Sequence, residues 1–289
     1  MIINRRPNRN IFLFFILLLL VISILTWQAV FHIQDDNLQI NFLDVGQGDS
    51  IHIRKNNIDI LIDAGDGKRV LEELGKTMPF YDRTIECVFL THPHLDHYGG
   101  MIELVANYEI EKLYMSDAVV DSDSYVEFIR QLEINNIAID FIHNYEKIDI
   151  VDDLYFIIFN PTESYIGKKI SNVNNTSIVK KMNYKNISVL FTGDAENDLQ
   201  SAILSIHGNR LKSDIYKVSH HGSKNATNHD FLQIVNPEIA VIPVGTNNRF
   251  GHPHDETLNL LELFEIRTFR TDIDGTITFI SDGINFWRK

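Results

Sequence analysis

The segment THPHLDHYGG, Thr91 to Gly100, decides how this chain is read. It follows the apolar run IECVFL and leads into a stretch with helical spacing, so His92, His94, Asp96 and His97 crowd the turn at one strand end. Imidazole and carboxylate are the donors that suit zinc and similar divalent ions, and four of them on one loop can serve two ions. Gly99 and Gly100 let backbone pack closely behind the cluster.

Two further strand-end loops repeat the theme. Thr192, Gly193 and Asp194 follow the apolar strand ISVLF, and VSHHGS, Val218 to Ser223, follows SDIYKV. Taken alone, Asp194 reads as the N-cap of a helix over 195–207, and His220 and His221 as a solvated loop. Taken together, the three loops are explained by a shared metal site, and a further segment, RFGHPHDET, carries His252 and His254. Eight of the twelve histidines fall in 92–97, 220–229 and 252–254.

Between these loops, short apolar strands alternate with helical stretches. Strands are expected at 38–43, 50–54, 58–63, 85–90, 112–115, 138–142, 154–159, 177–183, 187–192, 214–219 and 239–244. Helices are expected at 70–76, 99–108, 124–135, 195–207, 228–235 and 255–266, the last N-capped by Asp255, and a final hairpin over 268–280 turning at 272–275. SIHIRKNNIDILIDAGD from Ser50 resembles SIVKKMNYKNISVLFTGD from Ser177: strand, Asn-containing turn, strand, then a loop with Gly and Asp. Two halves opening on the same hairpin suggest a sandwich of two sheets with helices outside both.

Composition sets the limits. At 44% hydrophobic and 22% charged residues, the 289-residue chain is globular, and its single cysteine excludes a disulfide scaffold or a cysteine-rich zinc site. Cys87, His52, His143 and His207 are expected to be structural. Acidic residues outnumber basic ones by 39 to 26, a formal charge of −13, which argues against broad neutralisation of nucleic-acid phosphates. Residues 1–10 form a basic flank with Arg5, Arg6 and Arg9, and residues 11–31 are an apolar segment of bilayer-spanning length ending near Trp27. A cut after Ala29 would place Trp27 at the −3 position, so an uncleaved transmembrane anchor is expected rather than a cleaved signal peptide. The basic flank keeps the N-terminus cytoplasmic, which makes the chain a single-pass membrane protein with residues 36–289 as one extracytoplasmic domain.

The ordered motifs FLDVGQGDS, LIDAG, HPHLDH, FTGDAE, VSHHGS and GHPH, closing with RTDIDGTITF, resemble the metallo-β-lactamase superfamily. Within it they are most similar to the soluble hydrolase domain of ComEC-like competence proteins. The resemblance covers residues 38–289 and implies an α+β fold, a four-layer αβ/βα sandwich preceded here by the N-terminal transmembrane helix. It implies one or two divalent ions, zinc first and manganese second, with His92 and His94 on the first ion, Asp96, His97 and His221 on the second, and Asp194 bridging. The superfamily's third-motif histidine has no counterpart: the matching stretch reads SNVNNTS, where Asn174, Asn175 or Ser177 could substitute. The implied chemistry is hydrolysis of a phosphodiester by a metal-activated water. Asp96 or Asp194 would orient the nucleophile, and His220 or His252 would bond phosphoryl oxygens or protonate the leaving group. His254 is expected to be incidental, Asp63 to support the ligand loop, and Asp44, Gln47 and Asp49 either to floor the site or to make a glycine-rich turn. Nucleic acid is the first substrate class, a small cell-envelope phosphoester the second, and a catalytically weak metal-binding interaction module the reading from outside enzymology. Oligomeric state is left open.

Overall fold

The computed structural model describes residues 9–32 and 37–289. The chain divides into two units, Met1–Asp36 and Asn37–Lys289. In the first, Arg9–His32 is one helix. Its Arg9–Trp27 part is long and apolar enough to cross a membrane, and none of it is buried against protein. Arg5 and Arg6, and the link over 33–36, lie outside the described residues.

In the second unit the strands in chain order are β1 (Leu38–Phe42), β2 (Ile51–Lys55), β3 (Ile58–Ile62), β4 (Thr84–Ile85), β5 (Cys87–Leu90), β6 (Glu109–Ile110), β7 (Lys112–Met115) and β8 (Ala138–Phe141). They continue with β9 (Lys147–Val151), β10 (Leu154–Asn160), β11 (Val179–Tyr184), β12 (Ile187–Phe191), β13 (Ile215–Lys217), β14 (Ile239–Ile242), β15 (Arg267–Arg270), β16 (Ile277–Ser281) and β17 (Phe286–Arg288). One sheet has the order β17-β16-β1-β2-β3-β5-β7-β8 and the other β15-β14-β13-β12-β11-β10-β9, with β4 and β6 as a separate ribbon.

Each sheet joins an antiparallel meander to a parallel arm. β1, β2 and β3 run antiparallel before β3, β5, β7 and β8 run parallel. In the other sheet β9 to β12 are antiparallel and β12 to β15 parallel. The two similar sequence segments form β2–β3 and β11–β12, matching hairpins at the same place in each half, with Asn56 and Lys185 left-handed at their turns.

Alternation along the strands builds the layers. Ile60, Ile62, Val189 and Phe191 enter the core between the sheets, whereas Leu61 and Leu190 point outward to the helices. Helices Arg69–Thr77, Met101–Val105 and Asp123–Ile134 cover the first sheet through Leu74, Leu104 and Phe128. Asn197–His207, His229–Val235 and Asp255–Leu263 cover the second through Ile203, Phe231 and Leu261. The result is the four-layer α/β/β/α sandwich.

Several local expectations are corrected. The 268–280 segment is not a hairpin: β15 lies in one sheet, Thr271–Asp274 forms a helical turn, and β16 crosses to the other sheet beside β1. Run 85–90 is broken at Glu86, whose backbone amide bonds to Asp59, so that Ile85 joins the ribbon and Cys87 the sheet. The expected helix at 99–108 is two shorter ones, Leu95–Tyr98 and Met101–Val105, so helical geometry begins inside the histidine cluster. His254, not Asp255, is the N-cap of the last long helix, and Asp255 stands in its first turn, where a carboxylate favours the helix dipole. β9 and β17, both edge strands with weak apolar patterning, were not legible.

Candidate metal centre

Every loop of the site leaves the C-terminal end of a strand, which gathers residues far apart in sequence along one edge of the sandwich. Thr91 follows β5, Thr192 follows β12, Val218 follows β13 and Pro243 follows β14. Backbone bonds lock the loops together: Asp49 N to Asp96 O at 3.3 Å, Ala64 N to His97 O at 2.8 Å, Ile178 N to Thr91 O at 2.8 Å and His220 N to Gly193 O at 3.2 Å. Glycine is required where backbones meet. Gly48 has φ +121°, and a Cβ there would lie 2.1 Å from Asp96 O.

Asp63 sets the first loop from behind. Its carboxylate accepts from Thr91 N at 2.7 Å, Thr91 Oγ1 at 2.7 Å and His97 Nδ1 at 2.8 Å. A carboxylate can only accept, so His97 carries its proton on Nδ1 and turns Nε2 inward. His221 is fixed in the same way, donating from Nδ1 to the Pro243 carbonyl at 2.9 Å. His220 and His221 both have left-handed backbones, φ +48° and +54°, an uncommon pair for non-glycine residues that aims neighbouring rings into one space.

The inward atoms converge on Asp194. Its Oδ2 lies 3.3 Å from His97 Nε2, 3.5 Å from His221 Nε2, 3.7 Å from His220 Nε2 and 3.9 Å from His92 Nε2. Asp96 Oδ2 lies 3.4 Å from His221 Nε2, and His94 Nδ1 is 3.0 Å from His92 Nε2. His92, His97 and Asp194 form one set of possible metal donors, and Asp96, His97 and His221 another, so His97 belongs to both. Asp194 is not the helix N-cap; that place is taken by Glu196, which leaves the Asp194 carboxylate to the site.

The donor set fits a divalent cation. His97 Nε2, His221 Nε2, Asp194 Oδ1 and Asp49 Oδ1 are buried and form no hydrogen bond in the protein, which is costly unless something else satisfies them. Four carboxylates, those of Asp49, Asp63, Asp96 and Asp194, crowd the site, and the Lys217 ammonium pairs with Asp49 and lies 3.6 Å from Asp194. Burial opposes charge on His221, yet Asp194, Asp49 and Asp96 raise it to about 10. Burial likewise opposes charge on His97, which Asp194, Asp63 and Asp96 nevertheless hold well above the ordinary imidazole value. The pocket therefore draws in positive charge, which a metal ion can supply in place of protons. Burial keeps His92, His94 and His220 below the usual value, in the neutral form that ligates.

Of the three residues that could stand in for the absent third-motif histidine, two are engaged elsewhere. Ser177 Oγ accepts from Asp194 N at 3.0 Å, and Asn175 Oδ1 from Glu196 N at 3.0 Å. Asn174 is held by Glu196 through its amide at 2.8 Å, while its Oδ1 is buried and unbonded.

His252 stands at the cleft, its ring 5.4 Å from that of His220, and burial and the neighbouring imidazoles lower it to about 4. His254 lies one ring further out and accepts from Lys224 N at 3.3 Å, a turn role. Asp44 does not reach the site: it accepts from Gly46 N and Arg69 Nη2, a turn stabilised by an ion pair. Gln47 lines the cleft, and Asp49 lies beneath it. Cys87 is in the core, where burial pushes its thiol far up. His52 is buried against Asp59 at 2.7 Å, His143 is exposed, and His207 packs on Phe159, all away from the cleft.

Sequence reading missed Lys217, Glu196, Arg249 and Phe250. Lys217 is 1% exposed, pairs with Asp49 and donates to Gly193 O at 2.8 Å. The available signal was a lysine inside the apolar strand SDIYKV, on the strand that feeds the double-histidine loop.

The metallo-beta-lactamase superfamily model matches residues 43–157. Residues 37–289 have the metallo-β-lactamase fold, and the curated relatives that the chain matches include a competence protein. The chain is 29% identical to ComE operon protein 3 of Bacillus subtilis, over 83% of this chain and 33% of that protein. It is 24% identical to competence protein ComA of Neisseria gonorrhoeae, over 86% of this chain and 33% of that one. It thus spans about a third of the length of these relatives. Among solved structures, the metallo-beta-lactamase fold protein YhfI from Bacillus subtilis superposes with a TM-score of 0.57 at 12% identity, covering 86% of this chain and 100% of its own.

Proposed function

We propose that this chain is a membrane-anchored, extracytoplasmic metallophosphodiesterase. The observation that carries the reading is the convergence of unbonded, inward-facing nitrogens of His97 and His221 on Asp194, beside a cavity of about 300 Å³. His92, His94, Asp96, His97, Asp194 and His221 would hold one or two divalent ions, zinc or manganese, with the buried, unbonded Asn174 Oδ1 as the candidate for the missing donor. A divalent ion there supplies Lewis-acid polarisation of a phosphoryl oxygen and a positive field that the acidic surface lacks.

The chain's own residues do the rest. Asp96, part-exposed at the cleft, orients the attacking water by hydrogen bonding. His220 and His252 are neutral at pH 7 and donate hydrogen bonds to the phosphoryl oxygens. Lys217 and Asp63 keep the carboxylates and imidazoles in place from below. Arg5, Arg6 and Arg9 ahead of the apolar helix favour a cytoplasmic N-terminus. A small envelope phosphoester is the competing substrate, favoured by the acidic composition.

The test uses the full chain in detergent micelles: metal content by mass spectrometry and hydrolysis of bis(4-nitrophenyl) phosphate with zinc or manganese. D96A and D194N are expected to abolish turnover, and D194N to lower bound metal. Stoichiometric metal without hydrolysis in either ion would sink the phosphodiesterase reading in favour of a binding module. Protease accessibility of residues 37–289 in intact cells checks the orientation.

A further inference from the structure

The cavity at the metal centre shares Gln47, Leu95, Asp96, Arg249 and Phe250 with a second cavity of about 500 Å³, bounded further out by Asp66 and Asn248. The shared walls differ in character from the rest of this acidic domain. Leu95 and Phe250 leave 46% and 47% of their surface open to water, large apolar side chains standing at a cleft rather than in a core. The Phe250 ring stacks on His252 at 5.7 Å and 23°, and the Arg249 guanidinium lies 4.9 Å from the Phe250 ring centre. Arg249 is exposed and, among the described residues, forms no ion pair; it is the one arginine or lysine lining either cavity. A stack of His252, Phe250 and Arg249 thus runs outward from the metal centre into the second cavity.

We propose that this stack is a subsite for the unpaired nucleobase adjoining the scissile phosphodiester. The base lies on Phe250 in place of the Arg249 guanidinium, with Leu95 across the cleft, and the displaced guanidinium turns to the next phosphate. An aromatic face accepts any base, because every base offers a π-face, and a flexible cation beside it tracks the backbone. A base within a duplex is stacked on both sides and cannot take this position, so the subsite selects single strands. The inference rests on the phosphodiesterase reading above and adds to it the residues that choose the substrate.

The experiment uses the full chain in detergent micelles. In metal-chelated F250W, the introduced tryptophan is expected to be quenched by a dodecamer of thymidylate, and not by the same length of abasic strand or by duplex. In the metal-loaded chain, F250A and F250L are each expected to raise KM for the dodecamer about 10-fold with a smaller change in kcat, F250W to restore it, and R249A to raise it less. Equal quenching by the abasic strand, or an unchanged KM in F250A and F250L, overturns the subsite while leaving the phosphodiesterase reading intact. Hydrolysis of bis(4-nitrophenyl) phosphate with no cleavage of the dodecamer does the same. Hydrolysis of neither overturns the phosphodiesterase reading and this inference with it.

Discussion

The Lys217 ammonium is buried against the Asp49 carboxylate, both 1% exposed, with Asp194 Oδ1 3.6 Å from the same Nζ. The pair forms the floor on which the donor cluster stands. Removing one partner of a buried ion pair leaves the other charge unsatisfied, typically at a cost of about 3–5 kcal/mol, whereas replacing both is far cheaper. K217M is therefore expected to destabilise by that order and to lower metal content. D49L/K217M should cost less than the sum of the two single variants in chemical denaturation.

Glu196 joins the 172–174 turn to the double-histidine loop. It accepts from Asn172 Nδ2 at 2.7 Å and Asn174 Nδ2 at 2.8 Å and lies 3.6 Å from His220 Nδ1. Loss of a group that orients donors from behind commonly costs about 10–100-fold in activity or metal affinity. E196A is expected to fall in that range in kcat, with its pH profile displaced because His220 loses a neighbouring carboxylate that raises it. E196Q, which can still hold one asparagine, should fall between the two, as steady-state kinetics across pH would reveal.

Gly100 allows the cluster to sit close to the first sheet. A Cβ there would approach Ala64 O to 2.2 Å and Gly67 O to 2.9 Å, both backbone atoms that cannot move aside alone. G100A is expected to cost at least the 1–3 kcal/mol of a typical overpacking change. Because Asp96 and His97 lie on the preceding turn, metal content should drop with thermal stability; a variant of wild-type stability and full metal load would contradict this.

Lys180 is fully buried, its Nζ 4.9 Å from the Phe89 ring centre and 6.0 Å from that of Phe191, with no hydrogen bond. Burial lowers it to about 8. The unfolded chain holds this proton up to about pH 10.4, so between about 8 and 10.4 it binds more protons than the folded chain, and stability rises with pH there. Below about 8 the folded state bears the whole cost of the buried charge, of order 3 kcal/mol. K180M is expected to be more stable at pH 7 and to lack that part of the rise, as denaturation of both proteins from pH 7 to 10.5 would show.

The fold was largely legible because periodicity and chain order carry it. Paired hairpins at 50 and 177, apolar strands ending in histidine or aspartate loops, and helices between them define two similar halves, and the hydrophobic effect leaves few ways to bury both. The supporting role of Asp63 could be read as well, since it closes the strand next to the ligand loop. The last strands could not: Asp272 to Gly275 has the composition of a hairpin turn, yet Thr271 Oγ1 bonds both Val244 N and Val244 O, anchoring one sheet as the chain leaves for the other.

What the amino-acid sequence determined by itself was the set of candidate donors, because donor types and their local spacing are written in order along the chain. Only the tertiary structure decided which atoms point inward, since that depends on hydrogen bonds from distant strands: Asp63 turning His97, and Pro243 turning His221. It alone brought Lys217 against Asp49, left the Asn174 oxygen unbonded while Asn175 and Ser177 are engaged, and set Arg249 and Phe250 beside the histidine cluster. Burial and long-range pairing are properties of three-dimensional neighbours, and no local pattern records them.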